Sequence, residues 1–277
     1  MESQTTVCTS IAQAPVIWAM PYIDNNHQKR LDHPELVILD LLGVLVEHDQ
    51  ALRGALAAAF AAHGEKIDDD VASMAIGYPG TKGIARVLKW LYPTEEPNPM
   101  SLQSIDQLAN KELCRMMSFG GAIQAASGID TLCLKWANVG VSVAATTTLN
   151  GAVVKALLSR LGWDEQPPFG FLVLAEEVVN PTPGPDMILE CMRRANVQSV
   201  ESVAKVASHP IGLFDAKQLG IGWSVLLDDG TLTSDQIVAT SPTAIVDQAT
   251  DLRKLWRYPA PKDVALEDEI ARILQRS

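Results

Sequence analysis

Polar side chains follow three of the apolar segments in this sequence. Asp40 directly follows the segment 36–39, three threonines follow the segment 141–145, and Ser208 and His209 follow the segment 203–207. The threonines are Thr146, Thr147 and Thr148. Burying a carboxylate at the end of an apolar segment is costly unless the group is hydrogen-bonded or functional. Asp40 is therefore the first candidate for a nucleophile or an acid/base, with hydroxyl groups beside it if the fold joins the three segments.

Each of these groups also has a simpler structural interpretation. Asp40 could cap the next turn, and the threonine hydroxyls could close a turn of their own. His209 is followed by Pro210 and could be an ordinary loop residue. The residue types alone do not choose between these roles.

Short strands and helices alternate from residue 140 to residue 227. The apolar segments 171–174 and 223–227 have the length of strands, whereas 150–161 and 185–195 have helical spacing. Such alternation predicts a doubly wound parallel sheet with helices on both faces. Ligands bind at the carboxyl ends of the strands in sheets of this kind. The three polar groups are therefore expected at the edge where a site would form.

The segment between the first strand and this alternating region predicts a separate helical unit. Leu52, Leu56 and Phe60 recur every four residues, and no strand alternation follows them. We predict an N-terminal extension over 1–33, a core over 34–49 and 135–262, a helical cap over 50–134, and a C-terminal helix over 263–277. The extension is polar and is expected to form a flexible arm on the surface.

Four segments resemble, in order, the four signatures of the haloacid dehalogenase superfamily. The first is ELVILDLLGVL, with Asp40 at the nucleophile, and the second is GVSVAATTTL, with Thr147 at the Ser/Thr position. The third is NPTPGPDMI and the fourth is VAKVASHPIGLFDAKQLG. The similarity runs from residue 35 to about residue 255. It implies an α/β fold: a haloacid dehalogenase-like Rossmannoid core with a parallel sheet and an inserted helical cap.

Within this superfamily the chain most resembles phosphonoacetaldehyde hydrolase. The shared features are a cap after the first strand, a small apolar residue two positions after the nucleophile, and adjacent threonines in the second signature. A cap lysine of that family forms a Schiff base with its aldehyde substrate. The resemblance places Lys82, in the segment GYPGTK, at this position. A solvated surface lysine is the alternative role for Lys82.

Several positions depart from the superfamily pattern. Leu42 stands where phosphatases have a general acid, and Thr182 stands where a cation precedes Pro-x-Pro. Ser208 and Gly212 stand where carboxylates hold Mg²⁺. Because Mg²⁺ is bound through carboxylate oxygens and gives up its water reluctantly, Asp40 alone is a poor site. We therefore expect no Mg²⁺ and no other cofactor, although the family uses Mg²⁺.

These departures favour a protein that has lost Mg²⁺-dependent phosphatase activity and binds a small-molecule ligand or a protein partner. Thr146, Thr182, Ser208 and His209 are its candidate binding residues. Two catalytic alternatives stay open. The first is a metal-independent enzyme that uses Asp40 on a small organic substrate, as the 2-haloacid dehalogenases of the superfamily do. The second is residual hydrolysis of phosphonoacetaldehyde or phosphate esters.

The composition of the chain bears on its macromolecular partners and on its cellular compartment. The 277 residues carry a net charge of −11, which repels nucleic acid in the far field. No apolar run approaches the roughly 18 residues needed to span a bilayer. The four cysteines are scattered, as is usual for free thiols in a reducing compartment. We expect a cytoplasmic protein with no nucleic-acid or membrane partner, and homodimer formation is left open.

Overall fold

Parallel strands form the central sheet in the computed structural model, which describes residues 33–47, 50–119, 123–228, 230 and 232–258. The strands of the described chain are β1 (Leu36–Asp40), β2 (Ser142–Thr147), β3 (Phe171–Leu174), β4 (Val203–Ala207), β5 (Trp223–Leu227) and β6 (Ala244–Val246). Their order is β3-β2-β1-β4-β5-β6. The predicted α/β fold with a parallel sheet is confirmed. The predicted C-terminal helix, and the N-terminal extension up to residue 32, lie outside the described residues.

The first strand lies in the middle of the sheet and is buried on both faces. Val37 and Leu39 belong to one hydrophobic cluster, and Leu36 and Ile38 belong to another. This division follows from the two-residue period of a strand, which sends alternate side chains to opposite faces. Because both faces are covered, the strand is a continuous apolar segment with no polar alternation. Its first polar residue, Asp40, marks the point where the strand reaches the carboxyl edge.

Helices cover this sheet and form the unit inserted after β1. Between residues 50 and 119 the described chain has four helices, joined by turns and loops, and no strand. The helices of the described chain are α1 (Gln50–Ala62), α2 (Asp69–Ser73), α3 (Thr81–Leu91), α4 (Pro99–Phe119), α5 (Ile129–Asn138), α6 (Gly151–Leu161), α7 (Asp186–Ala195), α8 (Phe214–Leu219) and α9 (Ser234–Thr240). Helices α1 to α4 share a hydrophobic cluster of their own, which includes Phe60, Ile84 and Ile105.

The predicted domain boundaries stay predictions. The predicted boundary between the cap and the core, at residue 134, falls inside helix α5. Most of α5 falls inside the predicted cap range. Its residues Leu132, Cys133 and Trp136 nevertheless pack in the cluster that covers the sheet. Helices α1 and α4 reach both clusters, since Ala55 and Leu113 belong to the sheet cluster. The helical unit is therefore joined to the core by packing as well as by the chain.

Two glycines in this helical unit give a matched test of the packing. A Cβ at Gly83 in α3 would lie 2.7 Å from the carbonyl oxygen of Ala75, whereas a Cβ at Gly54 in α1 would lie 3.7 Å from Met116 Cε. We expect Gly83→Ala to lower the free energy of unfolding by about 1–3 kcal/mol, since the backbones must move apart. Gly54→Ala should raise it by about 0.5–1 kcal/mol through helix propensity. Urea denaturation measures both, and equal stabilisation by the two substitutions would contradict the close α3 contact.

Candidate functional site

Asp40 and the other polar groups predicted from the sequence line one cleft at the carboxyl edge of the sheet. Asp40 ends β1, and its Cα pairs in register with that of Thr146 on β2. The cleft is lined by Asp40, Leu41, Leu42, Leu52, Ile76, Gly77, Thr146, Thr147, Thr148, Leu149, Thr182, Met187, Ser208, His209, Ile211 and Gly212. The structure therefore brings together six of the seven candidate residues. The seventh, Lys82, does not line this cleft.

A buried lysine that was not predicted from the sequence contacts Asp40. Lys205 lies in the middle of β4, and only 1% of the residue is exposed. Its Nζ donates to Asp40 Oδ1 at 2.5 Å and to Thr146 Oγ1 at 2.6 Å. The Thr146 hydroxyl in turn donates to Asp40 Oδ1 at 3.0 Å. Asp40 Oδ1 thus accepts hydrogen bonds from an ammonium and a hydroxyl. A quarter of the Asp40 side chain is exposed.

Lys205 supplies the cation beside Asp40 that the comparison with the superfamily signatures does not predict. In those signatures the cation stands at the position of Thr182. Lys205 reaches the same carboxylate from another strand: its Cα pairs with that of Ile38, two residues before Asp40. A long side chain that leans along the strand spans this offset. The sequence does contain a signal for this contact. Lys205 lies inside the apolar segment VAKVA, and a lysine is rarely buried without a partner.

Nearby charges keep Lys205 protonated. Burial by itself would lower the pKa of the Lys205 ammonium. The charges of Asp40 and Asp215, together with the hydrogen bond to Asp40, outweigh that effect and raise the pKa above its ordinary value. Lys205 is therefore a fixed cation at neutral pH. It supplies a buried positive charge next to Asp40 in a protein that is strongly negative overall.

Thr182 is buried and makes a hydrogen bond away from Asp40. Its hydroxyl donates to Asp215 Oδ2 at 3.1 Å, and the Ala216 amide donates to Asp215 Oδ1 at 2.7 Å. Asp215 is completely buried. Burial, with a further contribution from the charge of Asp40, raises the pKa of Asp215 to about 6, although Lys205 acts in the opposite direction. Asp215 lies inside the core and does not line the cleft, so it is not placed to serve as a metal ligand beside Asp40.

The residues around Asp40 do not fit Mg²⁺. Within the described ranges, no group of three or more His, Cys, Asp or Glu side chains could hold a metal ion. A Cβ at Gly212 would lie 2.6 Å from Asp40 Oδ2, so a carboxylate at this position would displace Asp40 itself. Ser208 offers one hydroxyl and packs tightly against Gly43. Asp40 and neutral hydroxyls are a weak donor set for an ion that prefers carboxylates.

Lys82 lines a second, larger cavity beside the cleft. This cavity has a volume of about 470 Å³, against about 90 Å³ for the cleft. The two share Leu52, Thr148 and Leu149. Lys82 is the second residue of α3. The arrangement places Lys82 beside the cleft, and its role as a Schiff-base lysine stays a prediction.

Comparison with known proteins identifies the class of fold. No family model matches the chain, and no curated protein matches it. Solved structures do match, among them three with informative descriptions. A Bacteroides fragilis protein described as a haloacid dehalogenase-like hydrolase is 16% identical and has a TM-score of 0.66, with 79% of this chain and 99% of that chain covered. A mutant of CbbY from Rhodobacter sphaeroides, in complex with xylulose-(1,5)bisphosphate, is 23% identical (TM-score 0.65; 79% and 96%). The β-phosphoglucomutase of Clostridium difficile is 15% identical (TM-score 0.65; 88% and 100%).

These similarities define a haloacid dehalogenase-like α/β fold, as the sequence signatures predict. At such low identity they establish the fold alone, so activity must be argued from the site. None of the helices in the described part of the chain is long and apolar enough to cross a membrane.

The Lys205–Asp40 contact predicts a measurable dependence of stability on Lys205. Lys205→Met leaves the Asp40 carboxylate and the Thr146 hydroxyl without their cation. We expect the free energy of unfolding to fall by about 2–4 kcal/mol, somewhat less than for a fully buried pair because Asp40 is partly exposed. Lys217→Met, which removes an exposed ammonium on α8, is the matched control. In the double variant Asp40→Asn/Lys205→Met the loss should be smaller than the sum of the single losses, and strict additivity would contradict the contact.

Asp215 predicts a change of stability with pH. Its pKa is about 6 in the folded protein and near 3.8 in the unfolded chain, so the folded state holds its proton more tightly between these values. The contribution of Asp215 to the free energy of unfolding is therefore fully present below pH 4 and lost as pH rises to about 6, by about 2–3 kcal/mol. Asp215→Asn should abolish this part of the pH dependence. Denaturation of both proteins from pH 4 to pH 7 tests it, and parallel curves would be the contrary result.

Proposed function

We propose that this protein is a metal-independent hydrolytic enzyme in which Asp40 is the nucleophile for a small organic substrate. The observation that carries the proposal is the contact of Lys205 with Asp40. It orients the carboxylate and offsets its negative charge, so that an anionic substrate meets less repulsion at Asp40. Among the described residues, Asp40 Oδ1 accepts both hydrogen bonds made to this carboxylate, so Oδ2 is the oxygen left for attack.

The chemistry divides into two steps that need no metal. First, Asp40 Oδ2 attacks an electrophilic carbon of the substrate, and the leaving group departs with the electron pair of its bond, which leaves an aspartyl ester. Second, water adds to the Asp40 carbonyl carbon, the product leaves as an alcohol, and the carboxylate and one proton are released. During the second step, negative charge develops on Oδ1. Lys205 Nζ and the Thr146 hydroxyl already point at this oxygen and would stabilise the charge.

The size and lining of the cleft limit the substrate. The cleft beside Asp40 has a volume of about 90 Å³, which favours a small substrate. Leu41, Leu42, Ile76, Met187 and Ile211 make one part of the wall apolar. The threonine hydroxyls and Ser208 make the other part polar. A short carbon chain with one acidic group has this shape and polarity.

Hydrolysis of phosphate esters is the second candidate. In its favour are the fold shared with CbbY, which was solved with a sugar bisphosphate, and the cation that Lys205 supplies. Against it are Leu42 at the position of the general acid and a donor set unsuited to Mg²⁺. A phosphoryl dianion at Asp40 would meet one compensating charge, where a metal-dependent phosphatase provides several. Hydrolysis of phosphonoacetaldehyde further requires the Lys82 side chain to reach the cleft from the neighbouring cavity.

A non-catalytic role is the remaining candidate. The small volume of the cleft and the contacts already made by Asp40 Oδ1 support it. In that case the cleft holds a small ligand, or the surface around it holds a protein partner. Isotope labelling of Asp40 distinguishes this role from turnover.

Oxygen-18 transfer to Asp40 tests the proposal directly. We expect the protein in oxygen-18 water to release chloride from 2-chloropropionate with EDTA present. The peptide that contains Asp40 should then gain oxygen-18, because water attacks its ester carbonyl. Asp40→Asn should abolish chloride release, and Lys205→Met should lower kcat by at least about a hundredfold, the scale for loss of one charge-stabilising donor. Mass spectrometry and chloride measurement are the readouts, with Lys217→Met as the matched control.

Other outcomes separate the alternatives. p-Nitrophenyl phosphate and phosphonoacetaldehyde should give no Mg²⁺-stimulated product, whereas product that requires Mg²⁺ and Asp40 would support the phosphatase candidate. Absence of turnover on all three probes, with no oxygen-18 in Asp40, would reject the proposal in favour of a binding role.

A further inference from the structure

The helical unit inserted after β1 packs against the sheet core at the cleft itself. Gly77 lies between α2 and α3, and Ile211 lies between β4 and α8. A Cβ at Gly77 would lie 2.0 Å from Ile211 Cγ2, so the glycine backbone packs directly against this methyl group. Both residues line the cleft that Asp40 also lines. The contact between them therefore forms part of the wall of the cleft.

The turn that carries Ile211 is held in place by its own residues. It is a short 3₁₀ helix over Pro210–Leu213, and the proline ring fixes the backbone at its first position. Its last residue, Leu213, is completely buried in the core. Ile211 itself is 7% exposed. Its side chain is therefore confined between a rigid turn and the Gly77 backbone.

The same turn packs against the carboxylate proposed as the nucleophile. A Cβ at Gly212 would lie 2.6 Å from Asp40 Oδ2. Two consecutive residues, Ile211 and Gly212, thus contact the helical unit and the carboxylate. For attack by Oδ2, the reacting carbon must come within roughly 3–3.5 Å of this oxygen. A group attached to that carbon is therefore placed beside the turn, where Ile211 supplies the apolar wall.

We propose that Ile211 is a specificity-determining residue, held against the cleft by Gly77, that admits no group larger than methyl on the reacting carbon. This inference rests on the proposed function of Asp40 and narrows its substrate to short 2-substituted acids. A larger group would have to displace the Ile211 side chain. The Gly77 backbone blocks that displacement, because it already lies against Ile211 Cγ2. Removing the Ile211 side chain beyond Cβ should open the space.

Packing alone is the simpler role for Ile211, since burying an isoleucine stabilises any core. Ile221 provides the matched comparison. It has the same side chain, is 8% exposed, and packs in the cluster on one face of the sheet without lining the cleft. Ile221→Ala therefore measures what the loss of a buried isoleucine side chain does by itself.

The contact between Gly77 and Ile211 is tested first, through stability and without any turnover. Gly77→Ala adds a methyl group that collides with Ile211, and it also places alanine at a φ of +80°. Gly64→Ala carries the backbone strain alone, since its φ is +91° and no described atom lies within 4 Å of an added Cβ. We expect Gly77→Ala to lower Tm by about 4–8 °C more than Gly64→Ala. In Gly77→Ala/Ile211→Ala, the loss in Tm should be smaller than the sum of the two single losses.

Specificity is tested with acids that differ by one methylene. The wild type should turn over 2-chloropropionate with a kcat/KM at least about tenfold higher than that for 2-chlorobutyrate, the scale for one methylene in an apolar pocket. Ile211→Ala should bring this ratio close to unity, whereas Ile221→Ala should keep the wild-type ratio. Calorimetric binding of propionate and butyrate, which carry no leaving group, should show the same change of preference.

The outcomes distinguish this inference from the proposed function. Equal losses in Tm for Gly77→Ala and Gly64→Ala would overturn it, because the close contact with Ile211 would be absent. An unchanged preference in Ile211→Ala, in turnover and in binding, or an equal change in Ile221→Ala, would leave Ile211 a packing role and would also overturn it. If the binding preference changes in Ile211→Ala alone but the wild type releases no chloride from either acid, the role of Ile211 stands and the nucleophilic function of Asp40 fails.

Discussion

The contact between the Lys205 ammonium and the Asp40 carboxylate determines how the rest of this site can work. It joins the carboxyl halves of β1 and β4, and Thr146 extends it to β2, so the three adjacent central strands share one hydrogen-bonded group. Taking two charges from water is expensive, and the contact must offset that cost through close geometry. Asp40 is thereby held in one orientation, with Oδ1 accepting both hydrogen bonds and Oδ2 packed close to Gly212.

The fold could be predicted from the sequence because it depends on patterns that repeat along the chain. The apolar segment before Asp40 and the later alternation of strands and helices are enough to place Asp40 and Thr146 on adjacent strands at one edge. Lys205 was missed because the cation was sought at Thr182, where the superfamily has it. Which side chain reaches a carboxylate depends on strand register and side-chain length, and a motif comparison records neither. The close packing of Gly212 on Asp40 is likewise visible only in three dimensions.

The buried polar groups around Asp40 form a layered arrangement. The outer layer, Asp40 and the threonines, is in contact with the cleft, and the inner layer consists of Lys205 and Asp215. Thr182 connects the two layers, since it lines the cleft and donates to Asp215. Charges in the inner layer are screened by salt much less than surface charges are. The charge of Lys205 beside Asp40 is therefore nearly independent of the ionic strength of the solution.

The packing of Gly212 against Asp40 also has an evolutionary consequence. In a metal-dependent relative, a lost ligand can in principle return through one codon change. Here an acidic side chain at residue 212 would collide with the carboxylate it should assist, and Lys205 already occupies the face of Asp40 turned toward β4. An acidic substitution at residue 212 alone would therefore place either a steric clash or an unbalanced buried charge next to Asp40.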